Sequence, residues 1–394
     1  MLSYGLAFLC HFLLFAEYSL AAPTRLTKAR RPEGGKTLAL RTRRTYGSRH
    51  QKRQLEEGLA NDNNIEYNIA VTVGTPNPGT QGQEFLLQLD TGSSDTWLMS
   101  VAACEDAIAN TPGGCPGGGF DPSLSATFVS LSEGDFEVEY FDNSKASGDW
   151  FADIMTLEDG STLTAVQIGL AQTAVNMNEG LMGVGFRSNE FGDTKYPNII
   201  DDLVDQDLIT TPMYSLWLDD LQSSEGTILF GGTDDSKYFD DLYYTPILTN
   251  ANGVYKEFMV NLDGVGVSGT SVSSDFQTPA LLDSGTSLTY LPTTIYTEVL
   301  KALPFQPDKS GNIKCDVPTG TVDFVFGTKT ISVPFDELAI TQSDQTCLFG
   351  LVDGGSSGDT TLGDTFLRSA YVVYNLDLLD PEGPQIGIAQ SKFS

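Results

Sequence analysis

Histidine is the scarcest functional residue in this sequence. The chain has two, His11 and His50, and neither lies beyond residue 53. If the chain is cut there, a Ser-His-Asp or Cys-His nucleophile is excluded, and so is a zinc site of the His-Glu-x-x-His kind. Chemistry is left to carboxylates, hydroxyls and backbone. Basic residues are also few: 22 Lys and Arg stand against 52 Asp and Glu, a formal charge of −30. Phosphate would be repelled, so nucleic acid is not an expected partner. No apolar run is long enough to cross a bilayer. Leu6–Leu14, interrupted by Cys10 and His11, is too short, and the last residues, Gln390–Ser394, carry no apolar tail for a lipid anchor. No Asn-x-Ser/Thr sequon occurs, so N-glycosylation is not expected.

The sequence has 394 residues, 40% of them hydrophobic and 40 of them glycine. That is too long for one ordinary core and normal in apolar content, which points to two lobes of a β-rich globular protein. The charge is uneven. Eleven of the 22 basic residues fall between Arg25 and Arg53, where Glu33 is the only acid; from Gln54 onward 11 basic residues face 50 acidic ones, a charge of −39. Residues 1–21 read as a secretory signal peptide, with Ser19 and Ala21 at the small-residue positions of its cleavage site. Residues 22–53 read as a basic propeptide ending in the dibasic pair Lys52-Arg53, with its opposite charge drawing it to the body. The expected lobes are 54–247 and 248–394. A secreted, extracellular, monomeric product follows. Cys104, Cys115, Cys315 and Cys347 survive processing and suggest two disulfides. Sequence proximity favours Cys104–Cys115 and Cys315–Cys347, and the other two connectivities stay open.

Alternation dominates the body. Tyr67, Ile69, Val71 and Val73 fall on one strand face, and Phe136, Val138 and Tyr140 alternate with Glu137 and Glu139. Helical spacing is rare. Ile199, Ile200, Leu203, Val204 and Leu208 show it after Pro197, and Ile295, Val299 and Leu303 show it after Pro292, a proline placed for the first helical position.

One segment occurs twice. Leu87 to Leu98 aligns without gaps on Ala280 to Leu291, placing Asp90-Thr91-Gly92-Ser93 on Asp283-Ser284-Gly285-Thr286. Each copy sets a carboxylate directly after an apolar strand, then a hydroxyl residue, a glycine and further hydroxyls. A lone Asp-Thr-Gly is usually a turn; the matched pair, one per lobe, points to chemistry. Two carboxylates held together share one proton, so one is an acid and the other a base at the same pH. The base takes a proton from a water between them while the acid hydrogen-bonds a carbonyl. Gly92 and Gly285 let backbone approach the carboxylates. Ser93 and Thr286 are placed to bond the outer carboxylate oxygens, and Thr91 and Ser284 to tie the two loops together. Neither motif alternates carboxylates as a calcium loop does.

At these residues the chain resembles the pepsin-like aspartic proteases, over about residues 64–394, and most closely the fungal candidapepsin and yapsin group. Tyr140 falls at the family's flap tyrosine and Trp97 at the tryptophan that closes on it. Leu181-Met182-Gly183 and Leu362-Gly363 match the elements behind each active-site loop, and Thr361–Tyr374 matches the carboxyl-terminal signature. The group likeness rests on Thr227–Gly232 with Ser236-Lys237-Tyr238, and on Leu291-Pro292. The resemblance implies two β-barrel-like lobes related by a pseudo-twofold around a cleft, under a flap. It implies endopeptidase action on extended polypeptides, without metal or cofactor. The flap departs from the group's Tyr-Gly-Asp-Gly: Tyr140 is followed by Phe141-Asp142-Asn143, which keeps the acid and loses two glycines. That loss would stiffen the hairpin, and it is the basis of an alternative, a catalytically silent binding protein of the same fold. Acid-optimal activity is expected, because the pair needs its shared proton and the body repels itself at neutral pH.

Overall fold

The computed structural model describes residues 38–46, 65–76, 82–110, 113–223, 225–273, 276–343, 345–355 and 360–394. The expected signal peptide and the Lys52-Arg53 pair lie outside the described residues. Strands dominate. β1 is Leu38–Tyr46, β2 Ile65–Val73, β3 Gln83–Asp90 and β4 Thr96–Ser100. The alternation expected of β2 is realised: Tyr67, Ile69, Val71 and Val73 are all buried, as are Phe85, Leu87 and Leu89 of β3. β2 and β3 pair antiparallel from Asn68↔Gln88 to Val73↔Gln83, so their apolar faces join one core.

A 14-stranded sheet runs through both lobes. From the middle outward it passes through β2, β3, Gly180–Gly183, β4, Thr162–Val175, Lys145–Leu157 and Val129–Glu139. In the other direction it passes through β1, Glu225–Phe230, Met213–Trp217, Ala370–Asn375, Gln385–Gln390 and Tyr243–Pro246. Residues from both ends of the chain thus share one sheet, which fixes the lobes against each other. Three smaller sheets of five, four and three strands build the rest of the C-terminal lobe.

β1 lies inside the segment read from sequence as a propeptide. Its residues 38–46 have a strand register with Glu225–Phe230 on one side and β2 on the other.

The two spaced helical patterns form helices Ile199–Asp205 and Thr293–Ala302. In the first, Asn198 caps the amino end, accepting from the N–H groups of Ile200 and Asp201, while Ile199, Ile200 and Leu203 are buried. Leu208 lies beyond the helix. In the second, Pro292 is the N-cap residue rather than the first helical residue, a correction of one position; Ile295 and Val299 are its buried stripe. The disulfides are Cys104–Cys115 and Cys315–Cys347, one per lobe. Among the described residues no helix is long and apolar enough to cross a membrane.

Candidate active site

β3 delivers Asp90 at its carboxyl end, and strand Thr278–Leu282 delivers Asp283 just past its own. A later strand backs each one in parallel. Leu87–Asp90 lies against Gly180–Gly183, and Leu281-Leu282 against Thr361-Leu362. The chain then returns antiparallel on the far side, Trp97 to Leu181 and Tyr290 to Thr361. The sequence repeat is therefore a repeat of wiring. Each aspartate sits at the mouth of a loop braced from behind, with Val184 N–H donating to the Asp90 carbonyl at 2.9 Å and Asp283 N–H to the Leu362 carbonyl at 3.1 Å.

The two carboxylates are held alike. Gly92 N–H donates to Asp90 Oδ1 at 2.7 Å, and Gly285 N–H to Asp283 Oδ1 at 2.8 Å. The Ser93 hydroxyl donates to Asp90 Oδ2, and the Thr286 hydroxyl to Asp283 Oδ2 at 2.5 Å. Each glycine also faces the opposite carboxylate. A methyl group on Gly92 would stand 2.5 Å from Asp283 Oδ1, and one on Gly285 closer still to Asp90 Oδ1. Only glycine lets the loops approach this far. Both aspartates are buried. Burial, then the Asp283 charge beside it, push Asp90 up to about 8, against the pull of the Ser93 hydroxyl.

Four hydrogen bonds lock the loops across the lobe boundary. Ser284 Oγ accepts from Thr91 N–H at 3.1 Å and donates to the Leu89 carbonyl at 2.8 Å. Thr91 Oγ1 accepts from Ser284 N–H at 2.9 Å and donates to the Leu282 carbonyl at 2.9 Å. Both hydroxyls are fully buried, so the bonds do not compete with water. Gln88 adds a fifth tie, Nε2 to the Gly285 carbonyl at 3.2 Å.

The expected flap corresponds to the hairpin of Val129–Glu139 and Lys145–Leu157. Its tip closes with Asn143 N–H donating to the Tyr140 carbonyl at 3.0 Å and Tyr140 N–H to the Ser144 carbonyl at 2.9 Å. Phe141-Asp142-Asn143 is a three-residue loop in which Asn143 takes the left-handed position at φ 66°. Asparagine tolerates that region better than most side chains, so the loop forms without a glycine there. Asp142 turns back on the loop, its Oδ1 accepting from Ser144 N–H at 2.9 Å and Ser144 Oγ at 2.5 Å. Trp97 Nε1 donates to the Tyr140 hydroxyl at 2.9 Å. Burial, then the nearby Asp90 charge, hold that hydroxyl's pKa well above its usual value. Phe141 stays 79% exposed at the tip.

A buried acidic cluster escaped the sequence reading. Asp95, two residues past Ser93, accepts from Phe191 N–H through Oδ2 and from the Tyr196 hydroxyl through Oδ1, both at 2.8 Å. Glu190 Oε2 accepts from Tyr196 N–H at 2.9 Å. Burial raises both carboxyls, Glu190 to about 8. The Tyr196 ring meets Trp150 edge-on at 5.1 Å, and Trp150 meets Phe136 at 5.0 Å, which carries the packing from the first loop into the flap.

A family model described as eukaryotic aspartyl protease matches residues 66–391. The chain is 38% identical over 351 residues to the probable aspartic-type endopeptidase opsB of Aspergillus fumigatus, covering 83% of this chain and 69% of that protein. It is 33% identical to an acid protease of Saccharomycopsis fibuligera over 83% of this chain and 82% of that one. It is 32% identical to secreted aspartic protease 3 of Candida albicans over 84% and 80%.

Proposed function

This chain belongs to the eukaryotic aspartyl proteases, and from that premise we propose that it is a secreted endopeptidase, working at acid pH through Asp90 and Asp283. The observation that carries the reading is the mirrored hold on the two buried carboxyls, each fixed by its own loop's glycine N–H and hydroxyl.

In this reading the pair keeps one proton through the acid range, because Asp90 is pushed up to about 8. An extended polypeptide lies in the cleft under the flap. The ionised carboxyl takes a proton from a water held between the pair, and the water oxygen attacks the scissile carbonyl carbon. The protonated carboxyl gives its proton to the carbonyl oxygen. As the C–N bond breaks, the carboxyl that took the water's proton gives it to the leaving nitrogen, and a hydroxyl of the tetrahedral species gives its proton to the other carboxylate, so an amine departs and the pair again holds one proton. Thr91 and Ser284 keep the carboxyls in register, so little reorganisation is needed at the moment of reaction. Tyr140, anchored on Trp97, sets the height of the flap over the bond. Cutting after Lys52-Arg53 is the proposed maturation step, and the protein is proposed to act as an extracellular monomer.

The test is hydrolysis of an unfolded protein by the full chain, matured in a secreting host, between pH 3 and 7 beside Asp90→Asn. Expected is cleavage that peaks on the acid side and is lost in the variant. Higher activity at pH 7 than at pH 4, or activity surviving in the variant, would overturn the mechanism.

A further inference from the structure

β1 is an interior strand, not an edge. It pairs antiparallel with Glu225–Phe230 from Leu38↔Phe230 to Arg43↔Glu225, and with β2 from Thr42↔Ile69 to Tyr46↔Ile65. Directly opposed residues of antiparallel strands share a face. Positions 38 and 40 therefore lie on the face of Phe230 and Ile228, and positions 42 and 44 on that of Ile69 and Tyr67. All four of these partners are fully buried core residues. Taking β1 away would open two strand edges in the sheet that joins the lobes.

We propose that a cut after Arg53 does not detach this segment: residues 38–46 stay in the slot between β2 and Glu225–Phe230 as a second, non-covalent chain of the mature protein. The proposal rests on the maturation site given above.

The residues after the cut are poor replacements. To fill the slot, Gln54–Asn64 must fold back on β2, which begins at Ile65. A two-residue turn at Asn63-Asn64 would set Gln54 and Glu56 at the positions of Leu38 and Leu40, and Gly58 at that of Thr42. A three-residue turn would bring Leu55 to the position of Leu40, but would set Glu57 opposite Ile69 and leave the position of Leu38 empty. Either register sets a glutamate opposite Ile228 or Ile69, at positions where β1 has Leu40 or Thr42; the one charged residue of β1 on that face, Arg44, stands opposite Tyr67 toward the strand's end. The segment's Gly58, Asn61, Asp62, Asn63 and Asn64 are also poor strand formers. Leu38-Ala-Leu-Arg-Thr-Arg has the alternation the slot requires.

The experiment uses the full chain with a site-specific protease sequence in place of Arg49–Arg53, so that the cut is made whatever natural processing uses. After cutting, the protein is passed over a sizing column at pH 4 and pH 7, and its fractions are read by denaturing mass spectrometry. Expected is a peptide containing residues 38–46 in one-to-one ratio with the body at both pH values. In Leu40→Pro, which puts a proline inside the paired strand, the cut protein should melt several degrees lower than cut wild type. A peptide that separates while the body stays folded and active would overturn the inference, because residues 54–64 or an empty slot would then suffice. Amino-terminal sequencing of the naturally secreted protein judges the maturation site separately: a start other than Gln54 removes that reading and leaves the engineered cut to decide this one.

Discussion

Replacing Glu190 with glutamine should stabilise the protein at neutral pH and leave it almost unchanged in acid. Glu190 is 3% exposed. One oxygen accepts the Tyr196 N–H, and the other has no hydrogen-bond partner among the described residues. Burial, with Asp95 adding to it, raises its carboxyl from 4.5 to about 8. A raised acid favours the folded state below its unfolded pKa, and that advantage is lost as pH climbs toward the folded value. At pH 4 the group is mostly protonated in both states, so glutamine, its neutral isostere, changes little. At pH 7 the unfolded chain gains by ionising and the folded chain does not. Between its unfolded value of 4.5 and pH 7 lie about 2.5 pH units, worth about 3 kcal/mol, an upper figure because local rearrangement on ionisation relieves part of it. With a melting entropy of about 2.1 cal/mol/K per residue, 3 kcal/mol corresponds to about 4 °C for a body of this length. The assay is the melting temperature of Glu190→Gln and wild type at pH 4 and pH 7. A gain of the same size at both pH values, or a loss at pH 7, would refute the reasoning, since neither follows from removing a titration.

Four further outcomes are expected. Thr91→Ala and Ser284→Ala each strip two of the four cross-lobe bonds and leave buried partners unpaired, so each should cost about 1–3 kcal/mol. The double variant should cost less than their sum, as measured by denaturant unfolding. Tyr140→Phe removes the acceptor for Trp97 Nε1 and should lower kcat/KM several-fold through a looser flap while melting changes by only about 1 kcal/mol. Asn143→Gly relieves a left-handed side chain and should be neutral to mildly stabilising, whereas Asn143→Val should destabilise the flap hairpin, read by hydrogen exchange at Lys145–Leu157. Opening Cys315–Cys347, which spans 32 positions, should cost about 4 kcal/mol, against about 3 for Cys104–Cys115, which spans 11, compared as Cys→Ser pairs by thermal melting.

The lobes, the paired loops and the flap anchor were legible in the sequence because their information is local. A carboxylate, a hydroxyl and a glycine within four residues must act on one another, and the second copy shows that the first is not a chance turn. The alternation of Tyr67, Ile69, Val71 and Val73 was readable for the same reason, since a strand declares its face every two residues. The Asp95, Glu190 and Tyr196 cluster was not legible. Tyr196 stands 101 positions from Asp95, and in a body with 50 acids nothing marks two of them as buried. β1 carried a signal that its charge concealed. Leu38, Leu40 and Thr42 alternate with Ala39, Arg41 and Arg43, but the block of cations around them reads as a leader, and charge spoke louder than period. Asn143 shows a third kind of gap. The loss of two flap glycines suggested a stiffened hairpin, yet the turn needs one left-handed residue, and an asparagine fills that place.

In the proposed mechanism the buried acids and the Asp90–Asp283 pair favour low pH for separate reasons that reinforce each other. Asp90 and Glu190 are pushed up to about 8, and Glu179, whose Oε2 accepts from Asn68 Nδ2 at 3.2 Å, is pushed up to about 10, chiefly by burial in each case. Each lends the folded state an advantage that is complete below its unfolded value near pH 4 and declines as pH rises toward its folded value. The pair's proton is lost in the same upper range. An enzyme limited only by its dyad would lose activity reversibly on moving from pH 4 to pH 8. One limited also by Glu179 and Glu190 would melt earlier over the same range, even as Asp90→Asn, which has no dyad proton to lose. Melting of Asp90→Asn should therefore still fall as pH rises from 4 to 8, by less than wild type. A flat melting profile in that variant would assign the whole pH dependence to the pair.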